Sequence, residues 1–138
     1  MTQDIGVLER VRKEIIETGR DSRYKCESYG FVLQGLEYYL STLSERRHVT
    51  GGELAMGLAQ YGARQFGLMG MQVLEKWGIH STNDFGYIVY NMIDVGIMSK
   101  QDTDRVDDFF NVFDLREFFE KQDFFVIDPE YVRRIRGA

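Results

Sequence analysis

The sequence predicts a mainly α-helical domain (α+β): compact, with a winged-helix-like centre and one small β-hairpin. Three observations carry this expectation. Apolar residues recur at helical spacing through most of the first hundred positions. Thr, Ser and Asp stand where helices open, and glycines stand where they close. Two short β-prone runs then flank an Asp-rich turn. The 138 residues fit a single domain over 1–138, with the winged-helix-like part at about 51–113 and a C-terminal tail at about 129–138.

Residues 4–18 read as a first helix, with Ile5, Leu8, Val11 and Ile15 on one side and Glu9→Lys13 as a favourable pair. Gly19 supplies its stop. A second helix is expected from about Lys25 to Leu43, on the stripe Tyr29, Val32, Leu33, Leu36, Leu40 and Leu43. Gly30 and Gly35 weaken it by roughly 1 kcal/mol each, so they point to close packing against a neighbour.

The clearest grammar begins at Val49. Thr50 fits an N-cap, and Glu53 can reach back to close a capping box. Val49 and Leu54 flank them as an apolar staple. The third helix then runs from Gly51 to about Phe66, and a fourth from Leu68 to Trp77. Ser81 or Thr82 caps a fifth helix on Phe85, Ile88, Val89, Met92 and Val95, with Asp84 in its first turn and Gly96 as its stop. Ile97 to Lys100 and Phe109 to Phe113 are the β-prone runs around Gln101 to Asp107. Asp114 and Glu117, stapled by Phe113 and Phe118, open a sixth helix from Leu115 to about Gln122. Phe124 to Ile127 is a further β-prone run, and Asp128-Pro129 suits another helix start. In the winged-helix expectation the fourth and fifth helices form the helical pair, and residues 97–113 form the wing.

Composition narrows the function classes. The chain is 43% hydrophobic with ten Phe, eight Tyr and one Trp, enough to fill a core. No apolar run approaches the roughly 18–20 residues of a membrane span. The polar start lacks the layout of a signal peptide. Cys26, alone, makes no internal disulfide, so a cytoplasmic, reducing location is expected. Net charge is −5, concentrated late: residues 101–138 hold ten acidic side chains against six basic. That balance disfavours nucleic acid, whose backbone is bound by displacing counterions with Lys and Arg.

The runs Arg47-His48-Val49-Thr50-Gly51, Trp77-Gly78-Ile79, Asp84-Phe85-Gly86-Tyr87-Ile88-Val89 and Ser99-Lys100 are dispersed and in order. Tyr29, Phe31-Val32, Glu53-Leu54, Phe66-Gly67 and Asp108-Phe109 join them. Over roughly residues 20–120 the chain resembles a family of small bacterial conserved hypothetical proteins, described mainly from Planctomycetes and Verrucomicrobia. The resemblance implies no activity. Gly52 departs from the pattern, where a larger polar residue is expected, and leaves the cap intact.

Candidate chemistry is sparse. His48 with Glu53 has the residue types of a general base and its carboxylate, with Tyr29 as a further polar group, yet Glu53 is already used by the cap. His80 and Asp84 stand four apart, but His80 precedes the helix and no third zinc ligand has usable spacing. Asp102, Asp104, Asp107 and Asp108 imitate a calcium loop but place Asp107 where Gly is needed and Phe113 where Glu is needed. Cys26 reads as a small buried hydrophobe. Gly67-Leu68-Met69-Gly70 lacks the context of a phosphate loop. No cofactor or metal site is expected.

A partner surface is expected instead at Tyr87, Asn91, Asp94, Asp102, Asp104, Arg105, Asp107 and Asp108. Asn83, Asp84, Tyr87, Asn91 and Asp94 would face outward on the fifth helix, which has no Lys or Arg before Lys100. Trp77, Tyr87 and Tyr90 are aromatics of the kind that anchor interfaces when exposed and fill a core when not; Trp77 is expected in the core, and Tyr87 fits either place. The leading expectation is a non-enzymatic cytosolic interaction or regulatory module, with a protein partner or a second copy. The alternatives are a winged helix-turn-helix DNA regulator and a small-molecule binder or enzyme using His48 and Glu53.

Overall fold

A computed structural model describes residues 2–122, and these are helical with irregular connections. The first helix, α1, spans Thr2–Val11 and continues into a π-helical turn over Arg12–Ile16, where Glu17 N donates to Arg12 O at 2.8 Å. Gly19, at φ 71°, ends it. The second, α2, spans Cys26–Ser41, and α3 spans Gly51–Phe66. Gly67–Met69 is a 3-10 turn leading into α4, Gly70–Lys76. Helix α5 spans Thr82–Asp94; Val106–Phe109 is a second 3-10 turn; α6 spans Leu115–Glu120.

The boundaries follow from local chemistry. Thr50 Oγ1 accepts from Glu53 N at 3.2 Å, and Glu53 Oε1 accepts from Thr50 N at 3.0 Å, so the expected capping box opens α3. Asp84 does the equivalent for α5, accepting from Ser81 N at 3.1 Å and His80 N at 2.8 Å. Asp114 Oδ1 accepts from Glu117 N at 2.9 Å to open α6, and the Phe113 and Phe118 rings meet at 5.7 Å as the staple requires.

Helices α2 and α3 pack through glycines. A Cβ on Gly35 would lie 2.4 Å from Leu58 Cδ2, and one on Gly57 would lie 2.7 Å from the Tyr39 ring. Phe31 of α2 gathers Tyr61, Phe66 and Trp77 around it at 5.4 to 6.0 Å, which ties α3 and α4 to α2. Helix α5 crosses the centre, with Phe85, Ile88 and Met92 fully buried.

The winged-helix-like centre and the hairpin are corrected. Among the described residues there is no strand. Ile97 N and Met98 N both turn back to Met92 O, at 2.8 and 3.3 Å. Asp104 then accepts from Gln101 N at 2.8 Å, and Asp108 accepts from Arg105 N at 3.0 Å, which folds the stretch into turns. Short carboxylates that bond their own backbone compete with a ladder, and here they win over β propensity. Phe109 is drawn into the core at 3% exposure instead of pairing in a wing. It fills a slot between two glycines: added Cβ atoms on Gly51 and Gly86 would stand 3.1 and 2.8 Å from it.

The expected run Phe124 to Ile127, the Asp128-Pro129 helix start and the tail at 129–138 lie outside the described residues. No helix among those described is long and apolar enough to cross a membrane.

Candidate functional site

The α2–α3 connection, the end of α2, one side of α5 and the segment 98–109 enclose a pocket of about 170 Å³. Its floor is apolar: Leu36 and Leu40 from α2, Leu54 from α3, Val89 and Ile93 from α5, with Met98 and Phe109 closing the far side. Its rim is polar and charged, with Arg47, His48 and Thr50 on one edge and Ser99, Lys100, Asp104, Arg105 and Asp108 on the other. Tyr90 of α5 also contributes to the lining, its hydroxyl turned out of reach of solvent. Its hydroxyl is buried and has no hydrogen-bond partner among the described residues. Burial, with the charges of Asp104, Asp108 and Asp107 behind it, pushes its pKa up, so the phenol keeps its proton and stays a donor.

Both rim carboxylates accept a backbone amide, and Lys100 lies near enough to Asp104 to help lower its pKa. Asp104 Oδ1 pairs with His48 Nε2 at 3.0 Å, and its other oxygen takes Gln101 N. Burial works to raise the Asp104 carboxyl, and the Gln101 amide and His48 overcome it, so it titrates below its ordinary value. Asp108 is spent on Arg105 N. Lys100 Nζ meets only the carbonyls of Gln101 and Asp104, each at 3.5 Å. Among the described residues neither Lys100 nor Arg105 has a carboxylate partner.

Glu53 does not join His48. Arg47 clamps it with two bonds of 3.1 and 2.7 Å, and together with the Thr50 amide it holds the Glu53 carboxyl at about 2. The expected polar site therefore divides. His48 stands on the pocket rim opposite Asp104; Glu53 faces Arg47; Tyr29 is buried elsewhere.

Tyr29 belongs to a second polar cluster. Asn91 Nδ2 donates to Tyr29 Oη at 3.0 Å and to Asp21 Oδ2 at 2.8 Å, while Arg23 grips both oxygens of Asp21 at 3.0 and 2.7 Å. Burial pushes Tyr29 up to about 12. Arg23 also lies 4.3 Å from the centre of the Tyr87 ring, which is tilted against the Phe110 ring at 5.5 Å between centres. Asp94 pairs with Arg20 at 3.5 Å, and Asn83 Oδ1 accepts from Asn111 N at 2.9 Å. Asp84 accepts from the Tyr24 hydroxyl. Asn83, Asp84, Tyr87, Asn91 and Asp94 thus each meet a group from residues 20–24 or 110–111, and Asp94 stays exposed.

The eight residues expected as one partner surface fall into two groups. Tyr87, Asn91 and Asp94 lie with the Asp21–Arg23 cluster; Asp104, Arg105 and Asp108 line the pocket, with Asp102 and Asp107 exposed beside them. The His80 ring is exposed, and burial pushes the Cys26 thiol up. Among the described residues no three His, Cys, Asp or Glu side chains gather in a metal-binding group. Sequence reasoning missed the pocket itself. His48 and Asp104 are 56 positions apart, a pairing no local spacing announces. No family model matches this chain, and the searches of curated proteins and of solved structures also returned no match.

Proposed function

We propose that the chain is a non-enzymatic recognition module, cytoplasmic and regulatory in kind, which holds an apolar group of its target in the Tyr90 pocket. One observation carries this reading: a hollow of about 170 Å³ lined by Leu36, Leu54, Val89, Ile93 and Phe109 beneath a polar edge. A cavity of about 150 Å³ suffices for a benzene ring, so this one has room for a ring or a short branched chain. Membership of the small bacterial family that the sequence resembles is part of the same proposal and adds no activity.

The alternatives draw less support. A duplex reader needs free donors on its helix face, and the polar groups of α5 are acidic or already bonded to their own chain. An enzyme built on His48 and Glu53 needs the two side by side, and each is engaged with another residue. A titration with benzene, followed by methyl NMR, tests the proposal. Resonances of Leu36, Leu54, Val89 and Ile93 are expected to move together. If only methyls far from the pocket move, or none do, the pocket is not a recognition site.

A further inference from the structure

We infer that residues 100–104 form a flap over this pocket, latched across its mouth by the bond between His48 and Asp104, and that release of the latch admits and discharges the bound group. This rests on the recognition reading above and gives that same site its gate. The flap is a unit because its bonds turn inward. Asp104 N donates to Gln101 O at 3.0 Å, and Asp104 Oδ2 accepts from Gln101 N at 2.8 Å. Lys100 Nζ folds back to the carbonyls of Gln101 and Asp104, each at 3.5 Å. Among the described residues the one hydrogen bond that leaves 100–104 joins Asp104 Oδ1 to His48 Nε2, at 3.0 Å. His48 stands on the α2–α3 connection and Asp104 on the opposite edge, so this bond ties the two walls together.

The chain on either side of the flap is anchored. Upstream, Ile97 N and Met98 N are both held by Met92 O of α5. Downstream, Asp108 N donates to Arg105 O at 3.1 Å and Asp108 Oδ2 accepts from Arg105 N at 3.0 Å, which closes a second turn. Phe109 pins that turn in its slot, where an added Cβ on Gly86 would stand 2.8 Å from the Phe109 side chain. Two joints remain between the anchors: Ser99, and the peptide from Asp104 to Arg105. Ser99 is exposed, and its amide makes no backbone bond among the described residues. Rotation at these joints lifts 100–104 with the loss of no hydrogen bond described there except the latch. The apolar floor, Leu36, Leu54, Val89 and Ile93, belongs to α2, α3 and α5 and stays in place. Such a latch sets rates rather than affinity: the group sits under a closed flap, and a weaker latch speeds entry and departure alike.

Benzene exchange with the whole chain, read from methyl NMR line shapes at Leu54, Val89 and Ile93, tests the flap. His48→Ala is expected to raise the entry and departure rates about fivefold, the scale of one modest hydrogen bond, with Kd held within about twofold. His48→Gln returns a donor to Asp104 and is expected to bring the rates back near those of the native chain. His80→Ala, at a residue outside the pocket, is expected to leave them unchanged. Unmoved methyls of Leu58 and Ile88 in each variant report an intact fold. His48→Ala rates equal to the native ones, or a loss of affinity with an unchanged entry rate, overturn the flap and leave the recognition reading standing. No shift at the pocket methyls of the native chain overturns both.

Discussion

Asp21 is a carboxylate with a side chain 7% exposed, gripped through both oxygens by Arg23 and through one by Asn91. Burial works to raise its pKa, and the bonds from Arg23 and Asn91 outweigh it, bringing the group down from 3.8 to about 2. The sign of the linkage follows. A carboxyl depressed in the folded state contributes stability that is complete above its unfolded pKa and is lost as pH falls through the folded value. Asp21→Asn is therefore expected to cost on the order of 1–2 kcal/mol at pH 7. Urea unfolding of the two proteins should show that gap narrowing as pH falls from about 4 towards 2. A gap that stays constant over that range would mean the charge of Asp21 contributes nothing. Sequence pattern could not supply this cluster: Tyr29 was legible as a polar candidate and Asn91 as a surface one, but their meeting with Asp21 depends on tertiary folding.

Between elements, the α2–α3 interface depends on missing side chains, and two glycine substitutions on α3 should separate packing from propensity. Ala raises intrinsic helix stability over Gly by about 1 kcal/mol in a helix interior. At Gly57 the new methyl would stand 2.7 to 3.0 Å from the root of the Tyr39 side chain, which cannot swing away without moving the backbone. Gly57→Ala is expected to destabilise by about 1–3 kcal/mol despite its better propensity. At Gly52 nothing lies within 4 Å, so Gly52→Ala should be neutral or stabilising by up to about 1 kcal/mol. Thermal unfolding of both variants checks the contrast, and equal effects would refute close packing at Gly57. At this scale the sequence was most informative. The Thr50–Glu53 box and the Asp114 cap bond neighbours three residues apart, so spacing alone announced them. The glycines of α2 and α3 announced tight packing. Residues 97–113 misled because their Val, Ile and Phe content favours a strand, while the aspartates that bend the chain differ only in where their oxygens find an amide.

Across the whole molecule, stability is unevenly divided, and the division falls at the pocket. Helices α3 and α5 carry side chains such as Leu58, Ile88 and Met92 that are fully buried. The segment 97–109 is fastened at few points: the return of Ile97 to Met92 O, the His48–Asp104 pair, and Phe109 in its glycine-walled slot. Between those points Ser99, Lys100, Asp102 and Thr103 are exposed, and no backbone bond from their amides is found among the described residues. Regions with few buried contacts and solvent-facing backbone open at a fraction of the global free energy. Native-state hydrogen exchange should therefore find the amides of 99–103 exchanging through local opening, while Leu58, Ile88 and Met92 exchange only through global unfolding. His48→Ala removes one fastening and should speed exchange in 99–105 without changing the slowest helical amides. Equal acceleration in α3 and α5 would place His48 in the cooperative core rather than at the edge of a covering segment. A ligand seated in the pocket bridges α5 to that segment, so binding should slow exchange there first.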